Sequence, residues 1–262
     1  MMDRVVHFHD IDADAIEVLL CDADGNLFAS EEPAFVASTE VTNRLLASLG
    51  IEREFTPDEL RRRAVGRNFR STALDLAAEA GTSIDDDELE SWVREEQHAV
   101  VAELGSVLRP DPAVDAPLRE LATRFRLAVV SSSAHARLDA CFRAAGLDEL
   151  LPPSVRFSAE DSLPAPASKP DPAIYTFAGE RLGIGIDAGL AVEDATAGAL
   201  SAVAAGFTTV GNLQFVPPGE REQRASELRE AGVAAIVSSW SDLAGMLGMA
   251  TDRSARVEAA LQ

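Results

Sequence analysis

From Phe125 onward the chain alternates between short, uninterrupted apolar runs and stretches with helical spacing. The runs fall at residues 125–130, 155–157, 190–192, 207–210 and 233–237. Helical patterns end at Gly146 and Gly183, fill 195–205 and begin again at Asp242. Strands that read as continuous Val/Leu/Ala/Phe stretches are buried on both faces, and intervening helices supply that cover. Such a chain folds into a parallel sheet with helices on both sides, an α/β doubly wound core. One further strand, at 15–21, stands alone far upstream. Between it and Phe125 the pattern is helical: Phe35, Val41, Leu45 and Leu49 share a face that stops at Gly50. Thr56-Pro57-Asp58-Glu59 reads as a capping box with proline at the first helical position. Further helices are expected at 69–80 and 85–104, before a linker at 109–112. The expectation is an all-helical domain inserted after the first strand.

Charge narrows the function classes. Asp and Glu number 44 against 23 Lys and Arg, a formal net charge of −21. Such a surface repels phosphate backbones, so no nucleic acid is expected as partner. Arg61-Arg62-Arg63 is the one basic run and reads as a solvated helix face. No stretch of about 18 uncharged apolar residues occurs, so no membrane span is expected. The N-terminus lacks a signal-peptide pattern, and Cys21 and Cys141 give neither metal spacing nor a disulfide framework. A cytoplasmic location is the expectation. His7, His9, Asp10 and Asp12 read as an exposed polar arm in preference to a metal cluster.

Ligands of doubly wound sheets sit at the carboxyl ends of the strands. Asp22 and Asp24 follow the first strand there, on one side of an extended backbone, and Glu193-Asp194 follow the strand at 190–192. Clustered carboxylates cannot all stay ionised without a cation, and hard oxygen ligands suit Mg²⁺. Ser131 ends another strand, beside amides that could hold an anion. The remaining clue is numerical. Of the 23 basic residues, 22 are arginine and one, Lys169, is lysine. A compact ammonium does at a crowded site what a planar guanidinium cannot.

Asp22-Ala-Asp24-Gly25-Asn26-Leu27, Ala128-Val-Val-Ser131, Ser168-Lys169-Pro170 and Glu193-Asp194-Ala-Thr-Ala-Gly198 together resemble the four motifs of the haloacid dehalogenase superfamily. The likeness is to its capped phosphatase and β-phosphoglucomutase-like branch, and the helical insert matches the branch's cap in place. Asn26 departs from the usual Thr or Val. The resemblance implies a Rossmann-like catalytic core of residues 1–32 and 110–262 with a cap of 33–109. It implies Asp22 as nucleophile, Asp24 as general acid/base, and Ser131 and Lys169 holding a phosphoryl group. It implies Mg²⁺ on Asp22, Asp24 (through its carbonyl), Asp194 and, nearby, Glu193. Ser132 and His135, with Arg67 and Arg70 from the cap, are candidates for the substrate's remainder. The expected substrate is a small-molecule phosphate ester, of sugar-phosphate or phosphoglycolate type.

Rival readings are a sugar-phosphate mutase and a binding module with a silent site. The mutases of this branch place a histidine shortly after the second Asp, whereas no histidine occurs between His9 and His98. The intact carboxylate set argues against a silent site.

Overall fold

The computed structural model describes residues 5–64 and 68–249. Seven strands form one sheet: β1 (Val5–His7), β2 (Val18–Cys21), β3 (Arg126–Ser131), β4 (Arg156–Ser158), β5 (Gly189–Glu193), β6 (Thr208–Asn212) and β7 (Ala235–Val237). Their order is β1-β7-β6-β5-β2-β3-β4. Every pairing is parallel except that of β1 with β7. The chain therefore runs outward from β2 to β4, then returns to β5 and runs the other way. The winding reverses beside β2, where Cys21 aligns with Val129 of β3 on one side and Val192 of β5 on the other. A crevice opens at such a reversal because neighbouring connections leave in opposite directions.

Burial explains the apolar runs. All residues of β2 and β5 are buried, as are five of the six in β3. One face packs Val18, Leu20, Ala128, Val130 and Ala191 against Ile174, Tyr175 and Ala178 of α7 (Ala173–Leu182). The remaining helices of this unit are α5 (Pro112–Leu121), α6 (His135–Ala145), α8 (Thr196–Ala204), α9 (Arg221–Glu230) and α10 (Trp240–Met246). A second core patch joins Leu213, Ala225, Leu228, Val233 and Ile236.

The chain divides into two compact units, residues 1–28 with 109–262, and residues 29–108. Among its described residues the second unit is all helix: α1 (Glu31–Ser48), α2 (Pro57–Arg63), α3 (Phe69–Glu79) and α4 (Asp86–Val107). Leu45, Ala73, Ala77, Ile84 and Leu89 make one of its core clusters, and Leu46, Phe55, Leu60 and Leu76 another. The Thr56 box forms as expected: Thr56 N–H donates to Glu59 Oε2 at 2.9 Å and Glu59 N–H to Thr56 Oγ1 at 3.4 Å. Glu31–Pro33, at the expected boundary between core and insert, form the first turn of α1, where proline's missing N–H costs nothing. In the N-terminal arm His7, His9, Asp10 and Asp12 are exposed, as expected, but the arm also contributes a strand. Its residues 5–7 pair with β7, closing that edge of the sheet with an antiparallel strand.

Asn26, the departure from the usual motif, has a structural task. Its Nδ2 donates to the carbonyls of Asp22 (3.1 Å) and Val192 (2.9 Å), and its Oδ1 accepts from Asn212 Nδ2 at 2.9 Å. One fully buried amide thus ties together the ends of β2, β5 and β6. Its backbone carbonyl accepts from the Trp240 indole at 2.9 Å. Asn26→Ala would strand the Asn212 amide in the core, at about 1–3 kcal/mol. The expected outcome is a melting temperature lower by roughly 3–8 °C in a scan. An unchanged melting temperature would show that the strand ends do not depend on this amide.

Candidate active site

Three strand ends and one loop meet at the reversal beside β2. β2 runs straight into Asp22, β5 ends in Glu193 with Asp194 following, and β3 ends in Ser131. Asp22, Glu193 and Asp194 are all buried, and each brings a carboxylate oxygen within 4.8 Å of the others. Lys169 enters from the loop before α7. Its ammonium donates to Asp22 Oδ1 at 2.5 Å, Glu193 Oε1 at 2.6 Å and the Val130 carbonyl at 2.7 Å. All three ammonium protons are used, with the lysine side chain only 6% exposed. The position is filled by a compact cation, which is the property that set the single lysine apart in the sequence.

Electrostatics follow from this packing. Burial pushes the Glu193 carboxyl up to about 7, against the pull of Lys169, and Asp22 adds to the rise. Burial also raises Asp22, with Lys169 opposing it and Asp24 reinforcing it. For Lys169, burial works against the charge, but Asp22 and Glu193 outweigh it and hold the ammonium above its ordinary range. Tyr175 OH donates to Glu193 Oε1 at 2.5 Å, and burial holds its phenol protonated. Arg224 Nη1 donates to the Asp194 carbonyl at 2.8 Å but comes only to 3.9 Å of its carboxylate. Three buried carboxylates against one close ammonium leave excess negative charge. A hard, oxygen-seeking divalent cation suits that donor set.

Two glycines exist because these carboxylates come so close. Gly25 has φ +77°, and a Cβ there would lie 2.4 Å from Asp194 Oδ2. A Cβ on Gly198, in the first turn of α8, would lie 1.9 Å from Glu193 Oε2.

The other expected residues are placed as follows. The Asp24 carboxylate accepts from Ser133 Oγ at 2.6 Å and Arg137 Nη2 at 2.7 Å. Ser131 Oγ accepts from Ser133 N–H at 3.1 Å, while Ser132 Oγ accepts from Lys169 N–H at 3.2 Å. Ser132 therefore fastens the lysine loop to the end of β3. His135 begins α6, its N–H donating to Asp161 at 2.6 Å and its Nε2 3.2 Å from Ser162 Oγ. Arg70 pairs with Glu90 of the same helical unit at 2.6 Å. Arg67 lies outside the described residues. Sequence reasoning did not single out Ser133, Arg137, Tyr175 or Arg224. Tyr175 carried a usable signal, since it is the only tyrosine in the chain.

A family model for haloacid dehalogenase-like hydrolases matches residues 16–206, which span β2, the insert and the β5–α8 connection. The chain belongs to this hydrolase family. No curated protein matches it. Among solved structures, a haloacid dehalogenase family hydrolase from Deinococcus radiodurans, with phosphate and sodium bound, is 26% identical. It aligns over 90% of this chain and 96% of its own, with a TM-score of 0.64. A predicted phosphoglycolate phosphatase from Haemophilus somnus shares the fold at 20% identity and a TM-score of 0.69, over 88% and 98% of the two chains. So does CbbY from Rhodobacter sphaeroides in complex with xylulose 1,5-bisphosphate, at 21% and 0.65, over 86% and 95%. Among the described residues of this family member, no helix is long and apolar enough to cross a membrane. Both cysteines are buried free thiols.

Gly198→Ala tests the packing through the sign of its effect. Alanine in a helix ordinarily stabilises, by about 0.5–1 kcal/mol over glycine. Here the methyl must displace Glu193 from Lys169 and Tyr175, and overpacking costs about 1–3 kcal/mol. The variant should melt below the wild type in calorimetry. Melting above it would show that Glu193 is not held where the structure places it.

Proposed function

We propose that this chain is a Mg²⁺-dependent phosphomonoesterase, acting on a small sugar-phosphate or phosphoglycolate-type ester through an aspartyl-phosphate. The observation that carries the reading is the Lys169 ammonium bound jointly by Asp22, Glu193 and the Val130 carbonyl at the sheet reversal. It fixes one carboxylate oxygen of Asp22 and sets a positive charge beside it, where a phosphoryl group would arrive. Phosphoryl transfer asks mainly for positioning and charge neutralisation, and a held carboxylate with a cation beside it supports that reading. The phosphate-bearing D. radiodurans relative and the bisphosphate complex of CbbY support the class of substrate.

In the proposed reaction an Asp22 oxygen attacks phosphorus, the ester P–O bond breaks, and Asp24 protonates the departing alkoxide. Water then attacks the phosphorus, gives its proton to Asp24, and frees phosphate and Asp22. Ser131 would hold a phosphoryl oxygen, and the Lys169 ammonium, beside Asp22, would offset the charge of the arriving group. Mg²⁺ would be held by the Asp22 and Asp194 carboxylates and the Asp24 carbonyl, with Glu193 close by. It would supply positive charge facing the transferring group. The Asp24 carboxylate, bonded to Ser133 and Arg137, would carry the proton on an oxygen lone pair beside those bonds. His135, Arg67 and Arg70 remain candidates for contact with the rest of the ester.

Phosphate release from a panel of sugar phosphates, phosphoglycolate and nucleotides checks the proposal. Release should require Mg²⁺ and stop with EDTA. Asp22→Asn should lose about 10³-fold or more in turnover. Lys169→Arg should lose about 10²-fold, since the guanidinium cannot fill the ammonium's place. Wild-type turnover in Asp22→Asn, or turnover undiminished by EDTA, would contradict it.

A further inference from the structure

The general acid/base of the proposed reaction is not left to orient itself. Asp24 lies in the turn after β2, where Gly25 N–H donates to the Phe28 carbonyl at 2.9 Å and fixes the backbone. Its two carboxylate oxygens are then taken separately, Oδ2 by Ser133 Oγ at 2.6 Å and Oδ1 by Arg137 Nη2 at 2.7 Å. Both donors come from the short stretch that starts at Ser131. Charge-assisted bonds of this length define both the rotamer and the tilt of the carboxyl plane.

The donor on the helix is itself held firmly. Arg137 stands in the first turn of α6, and the helix is anchored by the almost fully buried Arg156 of β4. Arg156 reaches Asp139 at 2.8 Å, Asp148 at 2.7 Å and the Leu151 carbonyl at 2.8 Å. Its guanidinium also lies 4.1 Å from the centre of the Phe142 ring on α6. Phe142 in turn meets Phe28 edge to face at 4.8 Å, so α6 is packed against the turn that carries Asp24. Arg137 and Asp24 are thus two ends of one braced assembly within the sheet unit.

A half-buried ion pair, here with side chains 27% and 23% exposed, adds to folding stability in many geometries and needs no single one. Placement of a proton-transferring group is different, because small misplacements of a reacting group cost large factors in rate. We propose that Arg137 is a positioning residue, acting through Asp24 to aim its carboxylate at the leaving oxygen and the attacking water. This rests on the phosphomonoesterase reading.

The test is a double-mutant cycle on the full chain, with Arg137→Met and Asp24→Asn singly and together. Arg137→Met should lower kcat on an alkyl phosphate by about 10–10²-fold, with KM and melting temperature near the wild-type values. Arg137→Lys, which keeps a donor, should recover part of the loss. The initial burst of nitrophenol from p-nitrophenyl phosphate should be nearly unaffected, since that leaving group needs no acid. In the Asp24→Asn background, Arg137→Met should add little, because the group it positions is gone. Equal losses in both backgrounds, or a wild-type kcat in Arg137→Met, would overturn the assignment. So would a fall in melting temperature matched in Arg137→Lys without kinetic recovery. A wild type that releases phosphate from no ester would instead remove the hydrolase reading and this assignment with it.

Discussion

One ammonium group between two buried carboxylates is the constraint on which the site depends. Asp22 and Glu193 come from the ends of β2 and β5, the strands that flank the reversal in sheet winding, and Lys169 donates to both and to the Val130 carbonyl of β3. Removing one member of such a buried set leaves the others uncompensated, at a cost of several kcal/mol. Replacing the whole set by apolar residues of similar volume would cost far less, so a buried charged set of this kind is weak evidence for stability. Tyr175 completes it from α7, filling the lone-pair site of Glu193 that the lysine leaves open.

Much of the surrounding sequence serves to let charges approach one another. Gly25 and Gly198 are glycine because a carboxylate occupies the space of their Cβ atoms. Asn26 is buried and polar because two strand-end carbonyls and the Asn212 amide need a partner. Ser132 ties the Lys169 loop to the end of β3. Each of these is a local concession that an apolar core would not make, and each touches a group in or next to the carboxylate cluster.

This is also why the centre of the molecule was legible in sequence and its margins less so. Strands buried on both faces read as apolar runs, and β2, β3 and β5 are of that kind. The carboxylates follow those runs, and Lys169 stood out as the single lysine. β1 escaped notice because a three-residue strand at the sheet edge, with histidine as its last residue, has too short a pattern to distinguish from a polar arm. α9 buries only Ala225 and Leu228 among charged residues, so no apolar stripe marks it as a helix. α5 carries Pro112 and Pro117 and so resembles a linker, yet its first proline sits where a helix tolerates one. Arg137 could not have been chosen from among 22 arginines, because what distinguishes it is the long-range contact with Asp24.

The central claim is that Asp22 becomes covalently phosphorylated. The most direct measurement is an acid quench of the enzyme turning over a hydrolysable ester in Mg²⁺, followed by peptide mass spectrometry. The account predicts an acid-stable, hydroxylamine-labile phosphoryl group on the peptide bearing Asp22, absent from Asp22→Asn. Phosphate turnover with no labelled peptide under any quench time, or with the label on another residue, would contradict it.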